Sequence, residues 1–235
     1  MADLSTFPIT KRWPASNPDI IQLYSLPTPN GVKISIALEE LGLPYEAHLI
    51  SFGTNDQKSP EFVSLNPNGR IPAIIDPNGP DGKPIGLFES GAILVYLAEK
   101  AGKLMPKDAA GRYETLQWVF FQMAGIGPMF GQFGHFFKFA ADQVANNSYP
   151  VERYRGESKR LLSVLEGRLK GRQWIMGDEY TIADIATFPW VRGVDVFYGG
   201  REVLDFANFP SVMDWLERAI ARPASQRGLN IPKRD

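Results

Sequence analysis

Three short stretches set polar side chains at the ends of apolar elements, where a ligand can reach them. The first is SLPTPNGVK, Ser25 to Lys33. A strand ends there, the chain turns through Pro27 and Pro29, and Asn30 stands where a helix begins, with Thr28 two residues before it. Asparagine is a favoured N-cap. A helix start exposes free N–H groups and a positive dipole end, which attract anions, thiolates included. A capped helix with no further role is the plainer reading. The second stretch is NPNGRIPAII, Asn66 to Ile75, a tight turn that opens a strand through an Ile71–Pro72 bond. An X-Pro bond in that setting is a candidate for the cis form; a trans proline on an edge strand is the alternative. The third is LFESGAILVYLAEK, Leu87 to Lys100, with Glu89 and Ser90 at a strand-to-helix junction. Ser90 is placed to cap the helix. Its hydroxyl and the nearby N–H groups can donate to a ligand carboxylate while Glu89 pairs with an ammonium group. A zwitterionic amino-acid end needs that pairing of donor and acceptor, although a capping serine beside an ordinary acid would read the same way.

What the chain lacks narrows the chemistry. Its 235 residues include no cysteine. There is therefore no internal disulfide, no thiolate metal site and no cysteine nucleophile in the protein. Thiol chemistry here must use a thiol that a ligand brings. The only histidines, His48 and His135, argue against an all-histidine metal site, so no metal is expected. Lys+Arg 25 against Asp+Glu 26 leaves a formal charge of -1 with no basic stripe, which points to small molecules and protein as partners rather than nucleic acid. The one basic cluster, Arg153, Arg155, Lys159 and Arg160, is interleaved with Glu152, Glu157 and Glu166 and reads as a solvated helix face. No apolar run is long enough to span a membrane. Residues 1–19, with Pro8, Pro14 and Pro18, read as an irregular tail and not as a signal peptide. A cytoplasmic protein fits best.

The elements that must position these groups follow from periodicity. Ile20 to Tyr24 is a short buried strand. A helix follows in which Ile34, Ala37, Leu38 and Leu41 share a face, and Gly42 with Pro44 stops it. Tyr45 to Ile50 is a second strand, and Pro60 to Leu65 a short helix. Pro72 to Ile75 and Ile85 to Phe88 are two further strands, and a helix runs from Ser90 to Lys100. The order βαβ then ββα is that of a thioredoxin-like α/β domain. In that fold a cis proline at Pro72 leaves the N–H and C=O of Ile71 free to pair with an extended peptide. From Lys107 the pattern is helical only, over about Ala109 to Phe139, Val151 to Lys170, Ile182 to Phe197 and Pro210 to Ala221. TIAD, Thr181 to Asp184, resembles a capping box and is structural. Gly102 to Lys107 is the expected linker.

Taken in order, the NPNGRIPA turn, the FESGAILVYLAEK helix and the TIAD box resemble the soluble glutathione transferases over about Ile20 to Leu229. TPNG at the position of the usual catalytic Tyr, Ser or Cys, WVFFQMAGIGPMFGQFGHF (Trp118 to Phe136) and ERYRGESKRLL (Glu152 to Leu162) are similar to the nu class, the bacterial glutathione-dependent disulfide-bond oxidoreductases. They are similar as well to the folded domain of the yeast nitrogen-regulation prion protein. The resemblance implies, after the 1–19 tail, which matches nothing in the family, a thioredoxin-like glutathione-binding domain over 20–101 and an all-helical domain over 107–229. It implies a homodimer. It places Thr28 and Asn30 at the glutathione sulfur, Ile71 beside Pro72 at the cysteinyl backbone, and Glu89 and Ser90 at the γ-glutamyl end. Gln57 falls at the glycyl end, and Arg153 matches an arginine reaching in from the other subunit.

The activity so implied is thiol–disulfide exchange with glutathione, reduced or oxidised, as co-substrate and no protein nucleophile, acting on small-molecule thiols and disulfides. Lowering a thiol pKa from about 8.5 to about 7 raises the thiolate fraction at neutral pH by roughly an order of magnitude. Conjugation of glutathione to electrophiles is the alternative within enzymes, weakened because no Tyr or Ser stands at the Asn30 position. A non-catalytic regulator that keeps glutathione is the alternative outside them.

Overall fold

The structure is a computed structural model describing residues 2–143 and 146–233. The chain divides into two units, one from the described residues of 1–101 and 223–235, the other from 102–222.

The first unit is built on a strand with no exposed side. All five residues of β1 (Ile21–Ser25) are buried, so it must lie inside a sheet covered on both faces. It connects through helix α1 (Gly31–Leu41) to β2 (Tyr45–Leu49), which pairs with it in parallel. Gly42 ends α1 in the left-handed region at φ 65°, the stop expected from the sequence. After α2 (Pro60–Leu65) come β3 (Ala73–Asp76), antiparallel to β1, and β4 (Ile85–Phe88), antiparallel to β3, giving the order β2-β1-β3-β4. Helix α3 (Ser90–Ala101) follows and packs against α1. The thioredoxin-like order expected from the sequence is the order observed.

Alternation along β1 and β3 sends Tyr24, Ala73 and Ile75 to one face, where they meet Phe62 and Leu65 of α2. Gln22 and His48 lie on that same face as a buried polar pair and satisfy each other, Nε2 to Oε1 at 2.8 Å. The core on this side also takes in Leu4 and Ile9. The segment read as an irregular tail therefore carries a 3₁₀ turn, Pro8–Lys11, and anchors itself through side chains whose burial stabilises by about 1.5–3 kcal/mol each. The last short helix, α9 (Pro223–Gly228), is also part of this unit and lies across α1. The Ser35 hydroxyl donates to the Gly228 carbonyl at 2.6 Å, and a Cβ at Gly228 would sit 2.7 Å from the Ile36 backbone. That close crossing holds Pro223–Gly228, placed in the helical domain by the resemblance, against α1 of the first unit.

The second unit is all helix. Its long first stretch runs as α4 (Ala109–Phe121), a π turn Gln122–Ile126, α5 (Gly127–Gly134) and a second π turn His135–Phe139. Pro128 has no N–H to give to the turn before it, and the wider π turn absorbs the missing bond. Helix α6 (Ser148–Leu169) buries Leu161, Leu162, Leu165 and Leu169 along one stripe. Helices α7 (Ile182–Val196) and α8 (Pro210–Ala221) complete the unit. The capping box forms as read: Thr181 accepts from the Ala183 N–H and donates its own N–H to Asp184. Asp184 further accepts from the Ile175 N–H and the Trp215 indole, both at its second oxygen. Among the described residues no helix is long and apolar enough to cross a membrane.

Candidate functional site

Strand register alone gathers most of the polar groups at one end of the sheet. Tyr24 near the end of β1 pairs with Ala73 at the start of β3, and Ala73 pairs with Phe88 at the end of β4. Parallel β2 ends beside β1, with Leu49 opposite Ser25. The loops carrying Thr28 and Asn30, Gln57, Ile71, and Glu89 with Ser90 all join the sheet at this end.

The turn after β1 is held by its backbone. The Thr28 N–H donates to the Leu26 carbonyl at 2.7 Å, and the Thr28 carbonyl accepts from Val32 at 3.0 Å. A Cβ on Gly31 would lie 1.9 Å from the Leu26 carbonyl oxygen, so only glycine fits. One expectation is corrected here. Asn30 has helical angles (φ -80°, ψ -39°) and its side chain makes no capping bond. The Gly31 N–H is instead directed at the Thr28 hydroxyl, at 3.4 Å. Thr28 closes the helix start, because the double-proline turn brings it back over the first N–H groups.

A residue missed by the sequence reading lies one turn inside the helix. Lys33 has no exposed surface, and its Nζ is 3.3 Å from the Ser90 hydroxyl oxygen. Burial pushes its pKa down to about 7, with the Glu89 charge acting in the opposite sense. Desolvation wins. The signal was present, since the i+3 and i+4 neighbours of Lys33 are Ile36 and Ala37, a face that does not lead to water. Lys33 thus joins the start of α1 to the start of α3.

At the start of α3, Glu89 adopts φ 68°, left-handed for a residue with a side chain, which costs on the order of 1–3 kcal/mol. Its carbonyl accepts from the Ile93 N–H at 2.9 Å. Glu89 therefore occupies the capping position and Ser90 is the first helical residue, so the helix begins one place earlier than a Ser90 cap would put it. The kink leaves the Glu89 side chain exposed and the Ser90 side chain buried.

Gln57 sits in a 3₁₀ turn, Asp56–Lys58, and its side-chain Oε1 is buried with no hydrogen-bond partner in the protein. A ligand N–H is what such an acceptor needs. The Ile71–Pro72 peptide is cis, and Ile71 stands two residues before Ala73, the first paired residue of β3. Asn66 shapes the turn before it, accepting from the Asn68 N–H and donating to the Arg70 carbonyl. Arg153 is exposed on α6 of the second unit, where its charge acts on Glu157. Among the described residues no cluster of side chains has the makings of a metal site.

Residues 20–99 match the glutathione S-transferase N-terminal domain family, and residues 123–223 the glutathione S-transferase C-terminal domain family. The chain is 46% identical over 211 residues to the disulfide-bond oxidoreductase YfcG of Escherichia coli, covering 89% of this chain and 94% of that protein. It superposes with a TM-score of 0.96 and 65% identity on a glutathione transferase from Burkholderia graminis that was crystallised with two glutathione molecules per subunit, covering 100% of this chain and 98% of that one. The nitrogen regulation fragment of the yeast prion protein Ure2p is more distant, at a TM-score of 0.80 and 35% identity over 92% of this chain and 99% of that one.

Proposed function

The chain belongs to the glutathione S-transferase family, and from that premise we propose that it reduces disulfides with glutathione, the protein supplying no sulfur of its own. The observation that carries this reading is a helix start closed by Thr28, with Asn30 beside it, in a chain without cysteine. The relative YfcG, named a disulfide-bond oxidoreductase, supports it. The glutathione sulfur lies at Thr28 and Asn30, the cysteinyl backbone pairs with Ile71, and the γ-glutamyl end is held by Glu89 and Ser90. The unpartnered Gln57 acceptor takes an N–H near the glycyl end. Glutathione is a co-substrate, and no metal enters.

A glutathione thiolate attacks one sulfur of the disulfide. The S–S bond breaks, one thiol leaves as thiolate, and a mixed disulfide forms. A second glutathione attacks the glutathione sulfur of that intermediate, releasing the second thiol and leaving glutathione disulfide. The balance is two glutathiones and one disulfide in, one glutathione disulfide and two thiols out. The protein favours the thiolate through the N–H groups of α1 and holds the reacting sulfurs in reach. Reduction of hydroxyethyl disulfide by glutathione tests this against conjugation of a chlorinated nitrobenzene. Fast reduction with slow conjugation is expected; the reverse order of rates would make the chain a conjugating transferase. Failure of both with glutathione still bound would favour a regulator, the reading suggested by the Ure2p fragment.

The same reading includes a homodimer and a cytoplasmic location, where glutathione is kept reduced. Support for the dimer comes from α4, where Tyr113 and Phe120, two turns apart on one face, are 68% and 66% exposed. Arg153 acts across the interface on the second glutathione.

A further inference from the structure

We propose that the N-terminal segment, residues 2–19, is a working part of the site, and that Arg12 positions Gln57 through Asp56. This rests on Gln57 meeting the glycyl end of glutathione. The segment lies outside the stretch that matches the family's N-terminal domain, residues 20–99. Its packing is nonetheless tied to the loop between β2 and α2. Arg12 Nη2 donates to Asp56 Oδ1 at 2.5 Å, and the other carboxylate oxygen accepts from the Ser51 N–H at 2.9 Å. The Asp56 N–H returns a bond to the Ser51 carbonyl at 3.0 Å. Asp56, only 8% exposed, thus ties the start of the loop to Arg12, with Gln57 the next residue along the chain.

Arg12 is itself held in place. Its guanidinium lies 4.9 Å from the centre of the Trp13 ring, and Trp13 meets Tyr24 of β1 edge to face. Leu4 and Ile9 anchor the segment ahead of this contact in the core that also contains Ile71. At the segment's far end, the Ser16 and Asn17 N–H groups donate to the Glu46 carboxylate of β2. The Gln57 oxygen is the element that an error in this chain of contacts would misplace. It is buried, it lacks a protein partner, and it stands on a turn opened by Asn55 at φ 55°, which has few alternative shapes. Arg12 is a positioning residue, not a catalytic one.

Binding of glutathione and of γ-glutamylcysteine, which has no glycyl residue, by titration calorimetry separates positioning from general damage. The variants are Arg12→Ala, Arg12→Lys and Gln57→Ala in the full chain. Arg12→Ala should weaken glutathione binding by about fivefold, the scale of a partly exposed ion pair, and leave γ-glutamylcysteine within about twofold. Arg12→Lys should restore most of the loss, and Gln57→Ala should reproduce the same selectivity. Equal weakening for both peptides, or no change in either, while Gln57→Ala remains selective, overturns the role of Arg12 alone. If Gln57→Ala leaves both affinities unchanged, the glycyl assignment fails and the proposal falls with it.

Discussion

At the scale of the residue, the site depends on two groups that stand a few positions apart on α1 and do opposite things. The Asn30 side chain makes no capping bond at the start of α1. Replacing it with Ala should cost no more than the ~1 kcal/mol typical of a lost cap while cutting disulfide reduction severalfold or more. Paired melting curves and turnover measurements check this, and unchanged turnover would remove Asn30 from the sulfur site. Lys33 is buried with a pKa of about 7 against an ordinary value of 10.5. The unfolded chain thus binds one more proton than the folded chain between about pH 7 and 10. Stability must rise with pH across that window, by up to about 1.4 kcal/mol per unit. It is lost as pH falls toward 7, where the buried amine takes its proton. Lys33→Met should flatten that slope. Urea midpoints at pH 7.5, 8.5 and 9.5 would settle it, and parallel profiles for the two proteins would show that Lys33 stays charged.

At the scale of the element, the start of α7 is where the helical unit is most vulnerable to one substitution. Asp184 is fully buried, and burial pushes its pKa up to about 6 in spite of the N–H groups and indole that it accepts from. Asp184→Ala removes the capping box and leaves the Ile175 N–H, the Thr181 N–H and the Trp215 indole without their acceptor. Each orphaned donor costs about 1–3 kcal/mol before relaxation, so a loss of at least about 3 kcal/mol is expected in a denaturant titration. A loss under about 1 kcal/mol would mean that water or another acceptor replaces the carboxylate. Catalysis should be untouched in whatever fraction folds, because the box holds a helix start and carries no chemistry.

At the scale of the molecule, the question is how the subunit associates. Light scattering should give about twice the chain mass of 26.2 kDa. A glutathione disulfide carries several carboxylates, and an arginine near them is attracted by about 4 kcal/mol at 4 Å and an effective dielectric of about 20, before desolvation is set against it. The net is nearer 1 kcal/mol for a partly exposed pair. Arg153→Ala should therefore weaken binding of oxidised glutathione by about fivefold and leave the dimer intact. A monomer, or an unchanged affinity at low salt, would refute the cross-subunit role.

What the sequence determined by itself was whatever a few neighbouring residues decide. The strand and helix order, the stop at Gly42 and the Thr181–Asp184 box all rest on local geometry and could be read from residues within four or five positions of one another, whereas the turn before Pro72 left cis and trans both open. The absence of a protein thiol was equally plain. Tertiary structure decided the rest. That Lys33 meets Ser90, that Arg12 meets Asp56 and that Ser35 meets Gly228 depends on pairs 57, 44 and 193 positions apart. Even the choice of Thr28 over Asn30 to close α1 follows from a double-proline turn folding back on the helix. Periodicity reports which face of an element is apolar; it does not report which distant chain covers that face, and a buried charge takes its partner and its pKa from that covering chain.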